Sequence, residues 1–138
     1  MQPLPETLLS QLRWELETGS KALREGNEGK ARVCARRAVA WLVQALPHLG
    51  YPSYGTHVGQ NLRELASDHR LPEHVRQAAA RLRGGARAQL QGQLYSLYPL
   101  RDAAIILHYF AQQLGVEETI VPMLRELQLC DPPCDCSP

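Results

Sequence analysis

Apolar residues recur at intervals of three and four along almost the whole chain, which is the spacing of one face of an α-helix. Runs that alternate apolar and polar residues, as strands do, are absent from the sequence. A first helix is predicted over residues 5–25, with an apolar stripe formed by Leu9, Leu12, Leu16 and Leu23. The pattern therefore predicts an all-α protein.

A second helix is predicted over residues 28–49, after Gly26 and Asn27 end the first one in a turn. Pro47 is expected to kink its last turn. Its apolar face contains Ala31, Cys34, Ala38, Leu42 and Ala45. Its other face contains Arg32, Arg36 and Arg37, and this division predicts an amphipathic helix with one solvated side.

Loop-forming residues over 50–55 precede a short third helix, for which Thr56 is the expected cap. The buried face of this helix is predicted to contain Val58, Leu62 and Leu65. A fourth helix is predicted to begin at Leu71-Pro72-Glu73 and to weaken or end at Gly84-Gly85.

The most apolar helix is predicted over residues 100–114, with Gly115 as its C-cap. A last short helix over 120–129 precedes a Cys- and Pro-containing tail that we expect to be disordered. We therefore predict an antiparallel bundle of four to five helices over residues 1–115, followed by a C-terminal part, 116–138, with a short helix and the tail.

Length and charge narrow the class of protein. A chain of 138 residues fits one small domain, and 15 basic against 14 acidic residues give a formal charge of +1. The charge is unevenly distributed, since residues 1–100 carry 13 basic and 8 acidic groups and the remainder carries 2 and 6. No apolar run is long enough for a membrane span, the N-terminus does not resemble a secretion signal, and three of the four Cys lie in the last nine residues. These features favour a cytoplasmic protein with a basic bundle.

Four segments carry a family resemblance when they are taken in order. They are EGNEGKA over 25–31, ARRAVAWLVQAL over 35–46, GTHVGQNLREL over 55–65 and LPE over 71–73. Their order and spacing across residues 10–114 resemble the HEPN family, the higher eukaryote and prokaryote nucleotide-binding domains.

The resemblance implies an antiparallel helical bundle that often forms a homodimer. Many HEPN proteins accompany a small nucleotidyltransferase, and others are metal-independent ribonucleases or degenerate accessory domains. We therefore expect a HEPN-like accessory or binding domain, associated with nucleotides or nucleic acid, that works with a nucleotidyltransferase or a toxin–antitoxin partner. A structural protein-interaction bundle without a nucleotide ligand is a further alternative.

Ribonucleases of the family carry an Arg and a His with four to six residues between them, and Arg101 and His108, with six between, meet this spacing. On one helix the two would share a face. His108 would exchange the proton of a ribose 2′-hydroxyl and Arg101 would stabilise the charge on the phosphate. Arg63 and His69 meet the same spacing, and Phe110 stands where active members often place a Tyr. A metal-independent ribonuclease and a structural role for His108 therefore both stay open.

Two groups of arginines are candidate contacts for nucleic-acid phosphates: Arg76, Arg83 and Arg87 on the fourth helix, and Arg32 and Arg36 on the second. A solvated helix face explains such groups equally well. We expect no cofactor and no metal, because the sequence lacks a phosphate-binding glycine loop. Cys130, Cys134 and Cys136 also leave a tetrahedral zinc site one ligand short.

Overall fold

The computed structural model describes residues 3–84, 92 and 95–129, and this part of the chain forms six α-helices without a strand. The all-α prediction is thereby confirmed. The helices are α1 (Glu6–Arg24), α2 (Glu28–Ala45), α3 (Val58–Ser67), α4 (Glu73–Arg83), α5 (Pro99–Leu114) and α6 (Glu117–Glu126), and a 3₁₀ helix spans Leu46–Leu49.

The helices pack as two hairpins that enclose α5. A three-residue turn joins α1 to α2, and α3 packs against α4 in the same way, while α5 lies against both α2 and α4. Gly19 permits the close approach of α1, since a Cβ there would lie 2.9 Å from both the Cβ of Cys34 and a methyl of Leu100. Helix α6 packs on α5, so residues on both sides of Gly115 contribute to one core.

The core is built from the helical stripes that the sequence predicts. Its largest fully buried side chains are Leu12, Leu16, Leu42, Leu46, Leu62, Leu65, Leu82, Leu100, Ile106, Leu107, Ile120 and Leu124. Leu23 departs from the predicted stripe because it is exposed. It lies in the last turn of α1, where Arg24 is exposed as well.

Capping side chains and left-handed glycines explain several of the helix ends. The Asn27 side chain accepts a hydrogen bond from the Lys30 amide at 3.1 Å, and Gly115 adopts the left-handed conformation that ends α5. The predicted cap at Thr56 is wrong, since α3 begins one residue later and His57 occupies the N-cap without a side-chain bond. The Thr56 amide instead donates to Oε1 of Gln60.

A buried amide and an ion pair order the connections around α3. Asn61 is fully buried, and its Nδ2 donates to the carbonyl oxygens of Tyr54 and Gly55 at 2.8 and 3.1 Å. The Tyr54 hydroxyl donates to Oδ2 of Asp68 at 2.5 Å, and Arg70 donates to both oxygens of the same carboxylate. These bonds hold the loop before α3 against the turn after it.

Within the described ranges, no helix has the length and apolar character needed to cross a lipid bilayer. The cysteine-containing tail and Arg87 lie outside those ranges.

Candidate anion-binding site

One arginine of α2 is buried in the bundle and a second is half-buried, which corrects the predicted solvated face. Arg32 is 9% exposed and Arg36 is half-buried, so that Arg37 alone of the three is exposed. The cause is the segment just before α5, which covers this side of α2. Nη2 of Arg32 donates to the carbonyl oxygen of Ser96 at 2.9 Å, and its guanidinium carbon lies 4.2 Å from the centre of the Tyr95 ring.

Asp102, in the first turn of α5, joins this segment to α4. The carboxylate is buried, at 6% exposure, and its Oδ2 accepts a hydrogen bond from the Ser96 hydroxyl at 2.5 Å. Arg81 donates to both carboxylate oxygens, with Nη2 at 2.7 Å from Oδ1 and Nε at 3.1 Å from Oδ2. Hydrogen bonding to Asp102 raises the pKa of Arg81. A bidentate, charge-assisted pair therefore locks α4 to α5.

The positive charges at this site outnumber the negative charges that neutralise them. Asp102 is occupied by Arg81 and Ser96, so it does not pair with Arg32 or Arg36. Nη1 of Arg32 and Nε of Arg36 are buried and have no hydrogen-bond partner in the part of the chain that the structure describes. Burial, and after it the positive charge of Arg32, lower the pKa of Arg36. Both donors are suited to an anion with several oxygens.

Two more arginines lie within two residues of the Arg81–Asp102 pair. Arg83 is exposed in the last turn of α4, and Arg101 is exposed in the first turn of α5. The guanidinium carbon of Arg101 lies 5.5 Å from the centre of the Tyr98 ring. We call Arg32, Arg36 and Arg81, with Arg83 and Arg101 at the edge, the arginine cluster. It draws on three helices and includes three of the predicted phosphate contacts: Arg32 and Arg36, one turn apart on α2, and Arg83, which follows Arg81 by two residues on α4.

Arg76 lies outside the arginine cluster and orders the start of α4. Its Nε donates to the carbonyl oxygen of Leu71 at 3.1 Å, and its Nη1 lies 3.3 Å from Nδ1 of His69. Arg87, the third member of that predicted group, falls outside the described residues.

Arg101 and His108, the predicted catalytic pair, occupy one helix at different levels. Arg101 is in the first turn of α5, and the half-buried His108 follows seven positions later. At 1.5 Å per residue, this spacing separates their backbones by about 10.5 Å along the helix axis. A substrate that used both residues of one protomer would have to bridge two helical turns.

Sequence reasoning did not find the pairing of Arg81 with Asp102 or the part that Ser96 plays in it. The available clue was Asp102 itself, a charged residue inside the most apolar predicted helix, since a carboxylate in such a position needs a cation beside it. The identity of that cation depends on how α4 packs against α5, which spacing along the chain does not reveal.

No group of three His, Cys, Asp or Glu side chains with metal-binding geometry occurs among residues 3–84, 92 and 95–129. Comparisons with protein-family models, curated proteins and solved structures found no match to this chain. The HEPN resemblance therefore stays a prediction from the sequence motifs.

Proposed function

We propose that this chain is a HEPN-like accessory domain that binds the phosphate groups of a nucleotide or of RNA at the arginine cluster, without catalysing a reaction. The observation that carries the proposal is the pair of buried donors, Nη1 of Arg32 and Nε of Arg36, that lack an acceptor among the described residues. A phosphate supplies several acceptor oxygens and a negative charge to the same place.

The burial of the arginines supports a specific site over diffuse attraction. A guanidinium group loses hydration when it is buried, so a donor left without a partner raises the free energy of the empty protein. A bound phosphate would restore both the hydrogen bond and the neutralising charge. Because Arg36 is half-buried and Arg32 is nine-tenths buried, the anion would enter beside Arg36 with Arg32 behind it.

The same geometry favours binding over catalysis. A general base needs a free lone pair within reach of the reacting proton. The one carboxylate described in the arginine cluster, Asp102, already accepts bonds on both oxygens. His108 lies two turns along α5 from Arg101, so a substrate held by both residues of one protomer would have to bridge about 10.5 Å along the helix axis.

A nucleotidyltransferase or toxin–antitoxin partner and a homodimer belong to the proposal through the HEPN resemblance. In such a pair this domain would hold the phosphates of the substrate or product while the partner performs the chemistry. Co-expression with the protein encoded by a neighbouring gene, followed by co-purification, tests this part separately from phosphate binding.

The binding test compares two substitutions of equal charge change. Arg36→Gln removes one member of the buried pair, and Arg63→Gln removes an exposed arginine from α3. Titrations with ATP and with a short single-stranded RNA distinguish a free nucleotide from a polymer. We expect Arg36→Gln to lower the affinity for the preferred ligand by at least about tenfold. Arg63→Gln should change that affinity by less than about twofold. Equal losses from both variants, or no binding of either ligand to the wild type, would contradict the proposal.

A further inference from the structure

A second cleft lies between α1 and α2, away from the arginine cluster. Its volume is about 460 Å³, and its lining includes Trp14, Trp41, Glu15 and Arg37. Arg37 lies about 140° around the α2 axis from Arg32 and about 100° from its neighbour Arg36. The two sites therefore use different, adjoining sides of the same helix.

Both tryptophans of the sequence line this cleft. Trp14 is 57% exposed and Trp41 is 43% exposed, which makes them two of the most exposed large hydrophobic residues in the described chain. Indole rings are the strongest aromatic partners for organic cations, because the negative face of the ring attracts positive charge. Two such rings on adjacent helices form a surface that suits a cationic group.

Glu15 supplies a negative charge at the same cleft. The residue is 3% exposed, and its Oε2 accepts a hydrogen bond from Nε1 of Trp41 at 3.2 Å, which orients that indole. The carboxylate forms no ion pair with a cation of the described ranges. It lies beside Cys34, and the pKa of that thiol is raised first by burial, then by the negative charge of Glu15 and by a side-chain hydrogen bond between the two. A buried carboxylate without a cationic partner favours a cationic ligand beside it.

We propose that this cleft binds a small zwitterion, with its ammonium group between the two indoles beside Glu15 and its carboxylate at Arg37. Arg37 is exposed and lines the cleft, so its guanidinium can pair with an anionic group that faces solvent. The volume lies in the usual range for small-molecule sites.

The charges of the lining select this class of ligand over simpler ones. An uncharged apolar ligand would leave the buried charge of Glu15 without a neutralising cation. A cation without an anionic group would gain from Glu15 and the indoles but would meet the like charge of Arg37. A zwitterion carries both charges in one molecule and can therefore neutralise Glu15 and Arg37 together.

Intrinsic fluorescence reports directly on this site, because the sequence has two tryptophans and both line the cleft. The probe is glycine betaine, compared with 3,3-dimethylbutanoate, in which a neutral carbon replaces the quaternary nitrogen, and with tetramethylammonium, which lacks the carboxylate. We expect saturable binding of betaine with a Kd of about 1 mM or tighter, and at least about tenfold weaker binding of each comparison compound. An absence of saturable binding of betaine, or equal binding of 3,3-dimethylbutanoate, would overturn the proposal.

Two variants test the assigned charges. Glu15→Gln keeps an oxygen acceptor for Trp41 and removes the negative charge. We expect it to lower the affinity for betaine by at least about tenfold. Arg37→Gln changes an exposed residue, so it tests the proposal even where Glu15→Gln fails to fold. It should weaken the binding of betaine and leave the binding of tetramethylammonium unchanged or make it tighter. An unchanged affinity for betaine in either folded variant, with folding checked by circular dichroism, would overturn the assignment.

Discussion

Arg32 and Arg36 lie one turn apart on α2, and each holds a buried N–H group that no acceptor in the described structure satisfies. Buried arginines in proteins are normally paired, because removing a charge from water is costly. Their proximity adds repulsion between two positive charges, which contributes to the lowered pKa of Arg36. This cost in the empty protein is what a bound phosphate would relieve, and it underlies the first prediction.

Arg36→Met should stabilise the empty protein and abolish phosphate binding. The methionine keeps apolar contact with the bundle and removes a cation that lacks a neutralising partner in the described site, for an expected gain of about 1 kcal/mol in the free energy of unfolding. Urea denaturation in phosphate-free buffer measures the change. A loss of stability would show that Arg36 already has its anion within the chain.

Arg81→Met should destabilise the protein by about 3 kcal/mol, because it leaves the buried Asp102 carboxylate without its cation. The double variant Arg81→Met/Asp102→Leu should recover most of this loss, since both charges are then absent. Equilibrium unfolding of the single and double variants tests the pair. Additive losses would mean that the two side chains do not depend on each other.

Acid should destabilise the wild type more than Asp68→Asn. The Arg70 guanidinium and the Tyr54 hydroxyl, which both donate to Asp68, hold the pKa of this carboxyl well below its usual range. Its contribution is therefore complete above the unfolded value of about 3.9 and declines as the pH falls below that value toward the lower native pKa. Thermal unfolding between neutral pH and the acid limit of folding measures the difference. Parallel pH profiles for the two proteins would contradict this role.

The purified protein should not cleave RNA, and His108→Ala should leave the binding of the phosphate ligand unchanged. His108 lies two turns from Arg101, and α5 places it outside the arginine cluster. Incubation of a labelled RNA with a chelator present, resolved by electrophoresis, tests for metal-independent cleavage. Cleavage by the wild type that disappears in His108→Ala would establish the ribonuclease alternative instead.

Features that depend on neighbouring residues could be predicted from the sequence. The helical stripes containing Leu12 and Leu16, the turn at Gly26 and Asn27, and the left-handed end at Gly115 follow from spacing and local backbone preference. The same information predicts the second helix, although Pro47 lies in a 3₁₀ turn that replaces its last α-helical turn.

Features that depend on distant segments could not be predicted in this way. Helical spacing groups Arg32 with the exposed Arg37, yet Arg32 is buried because Ser96, 64 residues later, covers it. The pairing of Arg81 with Asp102 depends likewise on how α4 meets α5. The cleft between Trp14 and Trp41 exists because the α1–α2 hairpin leaves that side open, which the periodicity of either helix alone does not indicate.

Nitrogen-15 NMR of the arginine side chains shows whether a phosphate binds at Arg32 and Arg36. The Nε–H of Arg36 has no acceptor among the described residues, so it reports the arrival of a phosphate oxygen without competition from an existing bond. Titration with the nucleotide or RNA should shift the Arg36 Nε–H resonance downfield and saturate with the same affinity as binding. A resonance that stays unchanged while the ligand binds and the exposed arginines shift would contradict a phosphate site at Arg32 and Arg36.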